Sequence, residues 1–217
     1  MPALPLKDQF RPTLADLLTP WWRGATCARR RLAVAAAASV VVLAAALAIL
    51  YPRDGWIVHH GGAVSFSLQY PRAMHRVPPP AGAFARVEER SGGILVRSFQ
   101  VGPLRLPPYR GEISGELPLF AVRYIAGLAA RTPGFLLASE GRTRVDVIQG
   151  YTITYSAIDS GRAYFGRVVF LLPRLTAARD GVTLTMTTIP TSLVYDPDQV
   201  AVNDSLFEPL HSFRFST

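Results

Sequence analysis

Residues 150–172 run Gly150-Tyr-Thr-Ile-Thr-Tyr-Ser-Ala-Ile158, then Asp159-Ser-Gly161, then Arg162 and Ala163-Tyr-Phe-Gly-Arg-Val-Val-Phe-Leu-Leu172. Both flanks are rich in β-branched and aromatic residues, which suit a pleated surface, and the centre holds residues that tolerate a tight reversal. The stretch is a β-hairpin, its second arm answering its first across Asp159-Ser-Gly161. A further turn signal, Asp180-Gly181, introduces Val182-Thr-Leu-Thr-Met-Thr-Thr-Ile189. Threonine alternates there with large apolar residues, the pattern of a strand in an antiparallel sheet with one covered face.

Working outward, the same reasoning places strands at Ala63–Tyr70, with Val64, Phe66, Leu68 and Tyr70 at period two and Pro71 as the stop, at Ala83–Glu89 and at Ile94–Val101. Phe135–Val147 reads as a bent strand or a hairpin, interrupted at Glu140-Gly141. Met74–Pro80 is a proline-rich connection. Gly102–Glu116, with Pro103, Pro107 and Pro108, reads as a long loop. Two helical patterns remain. Leu117–Arg131 sets Leu117, Phe120, Tyr124, Leu128 and Arg131 along one side, with Ile125 beside them, and ends at Pro133-Gly134. Gln199–His211 sets Val202, Leu206 and Leu210 on one side, although Pro209 blurs its boundary. Strands that need no crossover units, with two helices, make an α+β fold: an antiparallel sheet covered by helices.

Three stretches carry a resemblance to a known family: Phe66-Ser-Leu-Gln-Tyr-Pro71, Gly150-Tyr-Thr-Ile-Thr-Tyr155 leading into Arg162–Phe170, and Phe207 with Leu210-His-Ser-Phe-Arg-Phe215. Over residues 62–217 the chain resembles the PsbP-like α/β/α sandwich, shared by photosystem PsbP subunits, a yeast nuclear-import cofactor and LpqN-type envelope lipoproteins. The resemblance implies that fold and a mostly non-catalytic, partner-binding role, with no cofactor. An N-terminal apolar run stands here where the lipoproteins carry a lipid anchor.

That run, Leu32–Leu50, has no charge and Ser39 as its single polar residue. Nineteen helical residues rise about 28 Å, close to the roughly 30 Å of a bilayer's hydrocarbon core. Its nine Leu, Ile and Val residues together favour insertion by roughly 3–5 kcal/mol. A secretory leader has a shorter apolar core ending at a small-x-small site. Here Ala46-Leu47-Ala48 is followed by Ile49-Leu50-Tyr51, so the run reads as a retained transmembrane helix over 32–51. Lys7, Arg11, Arg23, Arg29, Arg30 and Arg31 precede it and Arg53 is the only cation close behind, which puts the N-terminus inside. The expected plan is a cytoplasmic basic tail over 1–31, the span, a stalk over 52–62 and an extracytoplasmic domain over 63–217. Trp21, Trp22, Arg29, Arg30, Arg31, Tyr51 and Trp56 are the expected membrane-interface anchors, because indole rings and basic side chains favour the headgroup region.

The formal charge of +8 is uneven. Residues 1–53 carry seven cations and two acids, whereas residues 54–217 carry sixteen arginines and thirteen acids. The large domain is therefore only mildly cationic, and nucleic-acid binding, which wants a concentrated basic face, gains little support from it. Abundant Arg and Ala with a single Lys read as GC-rich coding and point to a bacterial source. The one cysteine, Cys27, excludes an intrachain disulfide.

No motif fixes a chemical activity. Gly-x-Ser-x-Gly, His-Glu-x-x-His and Gly-x-x-x-x-Gly-Lys are all missing from the sequence. His59 and His60 are adjacent, so on a strand they point to opposite faces, and no Cys or acid stands at ligand spacing; a metal site is not expected. Asp196-Pro-Asp198 and Asp204 lack the alternation and glycine of a calcium loop and read as caps of the last helix. Tyr109, Arg110, Tyr164 and Arg167 are the expected partner-binding residues, because Tyr and Arg make the commonest interface anchors. The expected function is a non-catalytic, membrane-anchored domain that binds a protein partner or a small apolar ligand at the outer membrane face. Two alternatives stand beside it: an accessory subunit of a membrane complex, and an anchored hydrolase using His75 or His211.

Overall fold

The computed structural model describes residues 26, 34–43, 54–62, 64–108, 113–173 and 179–216. The chain divides into two units, Met1–Pro52 and Arg53–Thr217. In the first, residues 34–43 are helical with every side chain exposed. Ser39 Oγ donates to the carbonyl of Ala35 at 2.9 Å, so the run's polar group is satisfied inside its own helix. No helix among the described residues is long and apolar enough to cross a membrane. The expected span is described only over 34–43, and Trp21, Trp22, Cys27, Arg29, Arg30, Arg31 and Tyr51 lie outside the described residues.

The second unit is built on a seven-stranded antiparallel sheet. Its strands are β3 (His75–Val77), β4 (Ala85–Ser91), β5 (Ile94–Arg105), β6 (Leu136–Val145), β7 (Ile148–Asp159), β8 (Arg162–Leu171) and β9 (Asp180–Thr188), in the order β3-β4-β5-β9-β8-β7-β6. The hairpin expected over Gly150–Leu172 is β7–β8, paired from Gly150↔Leu171 to Asp159↔Arg162. Its two loop residues, Ser160 and Gly161, both have positive φ, 50° and 78°. That backbone matches the right-handed twist of the flanking strands.

Why Val168-Val-Phe-Leu171 is apolar without alternation is now plain: both faces of β8 are covered. Val169 and Leu171 join one core cluster, Val168 and Phe170 the other. The Val168 face receives helix α1 (Ile113–Arg131), whose Leu117, Ala121 and Leu128 are buried and whose Phe120 and Tyr124 meet the Phe170 ring edge-on at 5.2 and 5.1 Å. The opposite face receives a three-stranded sheet, β1 (Gly55–His59), β2 (Phe66–Tyr70) and β10 (Arg214–Phe215), together with the C-terminal segment. Ile57, Phe66, Leu68, Val200, Leu206 and Phe213 pack there against Val169, Leu171, Val182, Leu184 and Met186.

Several expectations change. The second covering layer is mainly strand and turn, so the sheet has a helix on one face and a small sheet on the other. Residues 52–62, expected as a stalk, contain β1, which pairs with β2 from Gly55↔Tyr70 to His59↔Phe66. The expected loop from Gly102 is strand as far as Arg105, Pro103 included. Pairing with β4 ends at Ala85↔Val101, so the missing N–H of Pro103 faces an unpaired side while β9 continues opposite. Helix α1 begins at Ile113, four residues before the expected start, and holds Pro118 inside it. Strand β6 is continuous through Glu140-Gly141, with its irregularity at Leu137/Ser139 instead.

The expected helix Gln199–His211 is a 3-10 turn at Pro197–Gln199, a series of turns, and a short helix α2 (Phe207–His211). Ala201 has φ of 59°, a conformation no α-helix contains. The Asp204 carboxylate takes the N–H groups of Ala201 and Leu206, an alternative to helical bonding that Asp offers readily. Leu206 and Leu210 are buried as expected, and Val202 is exposed.

Candidate interaction surfaces

Tyr109 and Arg110 lie outside the described residues. The other two expected partner-binding residues sit on β8 and are engaged within the domain. Arg167 Nη1 donates to the carbonyl of Val200 at 2.8 Å and Nε to Thr152 Oγ1 at 3.4 Å, so it ties the sheet to the C-terminal segment. Burial lowers its pKa, and the nearby Asp198 and Asp204 carboxylates oppose that shift. Tyr164 is half-buried, edge-on to Tyr155 at 6.2 Å, and burial raises its phenol.

The acids expected as helix caps have more varied roles. Asp196 accepts from the N–H of Asp198 and caps the 3-10 turn. Asp198 Oδ1 receives the hydroxyls of Ser139 and Thr154, each at 2.5 Å, pinning the C-terminal segment across β6 and β7. Those two hydrogen bonds lower its pKa; desolvation opposes them and Arg167 adds to them. The Asp204 side chain is 0 % exposed. Its Oδ1 is occupied by backbone N–H groups, while Oδ2 has no hydrogen-bond partner and stands 3.9 Å from the equally unpartnered Nε of Arg97. Arg97 spends Nη1 on Glu89 at 2.8 Å, and Ser205 Oγ donates to the same Glu89 oxygen at 3.3 Å. Burial pushes the Asp204 pKa up.

The histidines are dispersed. His59 lies against Phe66 and Phe84, with ring centroids at 5.0 and 4.7 Å, and His60 is exposed. His75 is exposed on the outermost strand β3, opposite Glu88, which itself pairs with Arg86 and Arg90. His211 stacks on Phe207 at 3.9 Å, and burial, Arg167 and Arg214 hold its pKa down. Among the described residues neither His75 nor His211 hydrogen-bonds a serine or a carboxylate.

Among the apolar side chains left exposed within the described residues, two groups each share one element face in the second unit, and only Trp56 of them is expected from the sequence. Helix α1 carries apolar residues on its outer side as well as its buried one: Leu119 and Val122 are 54 % and 58 % exposed, Ala126, Ala129 and Ala130 continue the exposed side, and Arg123, paired with Glu116 at 3.2 Å, is the charge among them. The signal was present, since Leu119 and Val122 fall off the buried stripe of Leu117, Ala121 and Leu128. On β1, Ile57 points into the core while its neighbours Trp56 and Val58 are 60 % and 51 % exposed on the outer face of the small sheet.

No family model matches this sequence, and no curated protein does. Solved structures do match. LpqN, involved in cell envelope biogenesis of Mycobacterium tuberculosis, aligns at TM-score 0.51 and 11 % identity over 76 % of this chain and 93 % of its own. Cyanobacterial PsbP from Synechocystis aligns at 0.50 and 13 % identity over 76 % and 95 %. The chain shares their fold. Mog1p, a Ran-binding protein of Saccharomyces cerevisiae, aligns at 0.46 with 16 % identity over 76 % and 96 %. The PsbP-like fold expected from the sequence is therefore present, as a mixed α/β arrangement of antiparallel sheets with few helices. All of these alignments are far below the identity at which a site carries over, so what the domain does rests on its own residues.

Proposed function

We propose that this chain is a single-pass envelope protein whose domain, residues 53–217, binds a protein partner at the outer membrane face without catalysing a reaction. The observation that carries the reading is the uncovered apolar side of α1. A helix that packs on a sheet ordinarily turns polar residues to water. Here Leu119, Val122, Ala126, Ala129 and Ala130 take most of those positions around Arg123, which Glu116 neutralises, and exposed apolar patches of this kind mark interaction sites. The fold shared with LpqN, which takes part in cell envelope biogenesis, is consistent with that setting. Anchoring is supported by the uncharged run Leu32–Leu50 and by the Ser39 hydroxyl, which is satisfied within its own helix as the bilayer interior demands. The six cations before the run set the orientation, with the domain outside.

The test is purification of the full chain in mild detergent, compared with Leu119→Ser/Val122→Ser. A polypeptide that accompanies the wild type and is lost from the double variant, with thermal unfolding unchanged, supports the reading. Identical companions in both preparations, or none in either, refute it.

A further inference from the structure

The outer face of the small sheet differs in chemistry from α1. Strand β1 presents Trp56 and Val58 outward, β2 presents Ser67 and Gln69 beside them, and β10 adds Arg214, whose Nε pairs with Asp146 at 3.4 Å and whose Nη1 donates to the carbonyls of His211 and Phe213. An exposed indole beside an aliphatic side chain is the composition that partitions into the headgroup layer of a bilayer. This face is also the first part of the domain that the chain reaches. Only Pro52, Arg53 and Asp54 separate Tyr51 from Gly55, the first residue of β1. Four residue steps extend at most about 14 Å. The headgroup layer adds about 5–7 Å beyond the hydrocarbon on each side.

From these observations we infer that the outer face of β1–β2–β10 is a lipid-contact surface, with Trp56 and Val58 inserted among the headgroups. This deepens the reading above and rests on its membrane span. The occupant is the lipid surface, because the tether holds β1 within about 14 Å of the end of the apolar run and because an indole flanked by an aliphatic side chain suits the headgroup layer. Since α1 covers the opposite face of the seven-stranded sheet, docking this face on lipid turns Leu119 and Val122 away from the bilayer, toward the partner.

The experiment uses the full chain carrying Trp21→Phe and Trp22→Phe, so that Trp56 is the single indole. It is reconstituted in phosphatidylcholine–phosphatidylglycerol vesicles, with and without acyl chains brominated near their carbonyl ends. A parallel chain carries Trp56→Phe and Val122→Trp as well. Alkaline carbonate extraction reports the span independently. The expected result is retention after carbonate, loss of most Trp56 emission to the brominated lipid with little loss to iodide, and the reverse for the indole at position 122. Retention with Trp56 quenched by iodide and not by bromine overturns the lipid contact and leaves the anchor standing. Retention with Trp56 reached by neither quencher means that protein covers this face, a second copy included, and also overturns it. Release by carbonate removes the anchor, and the inference with it.

Discussion

Replacing Asp204 isolates what a buried carboxylate does in the C-terminal segment. The side chain is fully buried, and Oδ1 accepts from the N–H groups of Ala201 and Leu206, each at 3.1 Å. Asp204→Ala leaves both N–H groups buried without a partner. Each orphaned group costs about 1–3 kcal/mol, so the substitution is expected to cost roughly 2–5 kcal/mol. That is a large share of the about 5–15 kcal/mol that a domain has in total. Asp204→Asn keeps an acceptor at Oδ1 and removes a charge that burial disfavours, and it is expected to recover at least half of the loss. The sign of the pH dependence follows from the direction of the shift. The folded pKa lies above the unfolded value of 3.8, so the stability that protonated Asp204 contributes is present below 3.8 and is lost as pH rises through the folded value. The wild type should therefore hold its greatest advantage over Asp204→Asn in acid and lose it toward neutrality. Urea unfolding of the three chains in mild detergent, followed by near-ultraviolet circular dichroism at a series of pH values, measures this. If Asp204→Asn is as damaging as Asp204→Ala, or if the gap widens with rising pH, backbone acceptance by a desolvated carboxylate is not what holds the segment.

Other substitutions probe the remaining layers. Phe170→Ala removes the fully buried ring that meets both Phe120 and Tyr124, and a loss of about 3–5 kcal/mol in the same assay is expected; Leu119→Ser, on the outer side of the helix, should stay within about 0.5 kcal/mol of wild type. Gly166→Ala places a Cβ 2.1 Å from the Tyr155 ring, so the ring must shift; a cost of about 1–3 kcal/mol and an altered tyrosine signal in the near-ultraviolet spectrum are expected. Asp198 has a folded pKa below 3.8, so its stabilising contribution is present above that value and fades as pH falls through the lower one. Asp198→Asn, or Ser139→Ala with Thr154→Ala, should flatten the acid end of the melting-temperature profile and leave Asp204's trend in place.

The sheet was legible because most of its strands combine β-branched and aromatic residues with turn signals at their ends, which local chemistry alone decides. Gly150–Leu172 declares both arms and the reversal between them, and Val182–Ile189 declares which of its side chains face a core. What stayed hidden depends on long-range pairing. Gly55–His59 looks like a linker until Phe66–Tyr70 is laid beside it, and Pro103 looks like a strand breaker until β4 is seen to stop short of it. Gln199–His211 has helical spacing in its apolar residues, yet Ala201 takes a positive φ and the Asp204 carboxylate accepts from the N–H groups of Ala201 and Leu206, so most of the segment forms turns. The candidate site was less legible still. Tyr164 and Arg167 have interface chemistry, and the fold employs both internally. The outer side of α1 was visible in principle, because Leu119 and Val122 have no place on the buried stripe.

The two uncovered apolar surfaces ask for different occupants, and their chemistry says which. Leu119, Val122 and the alanines after them are aliphatic and small, which allows another protein's side chains to pack closely against them. Trp56 and Val58 lie on the edge strand of a three-stranded sheet with arginine nearby, and a short tether connects them to the apolar run. An exposed apolar face of this kind also invites a second copy to pack against it face to face. Lipid contact removes that hazard, because the indole and its aliphatic neighbour are then occupied. Detergent extraction should then unmask it: chains lifted from the bilayer into dilute detergent are expected to self-associate through β1 more than chains in vesicles do. Trp56→Ser/Val58→Ser should abolish the difference in a cross-linking comparison of the two states. Equal self-association of wild type and variant in detergent would show that β1 offers no such surface.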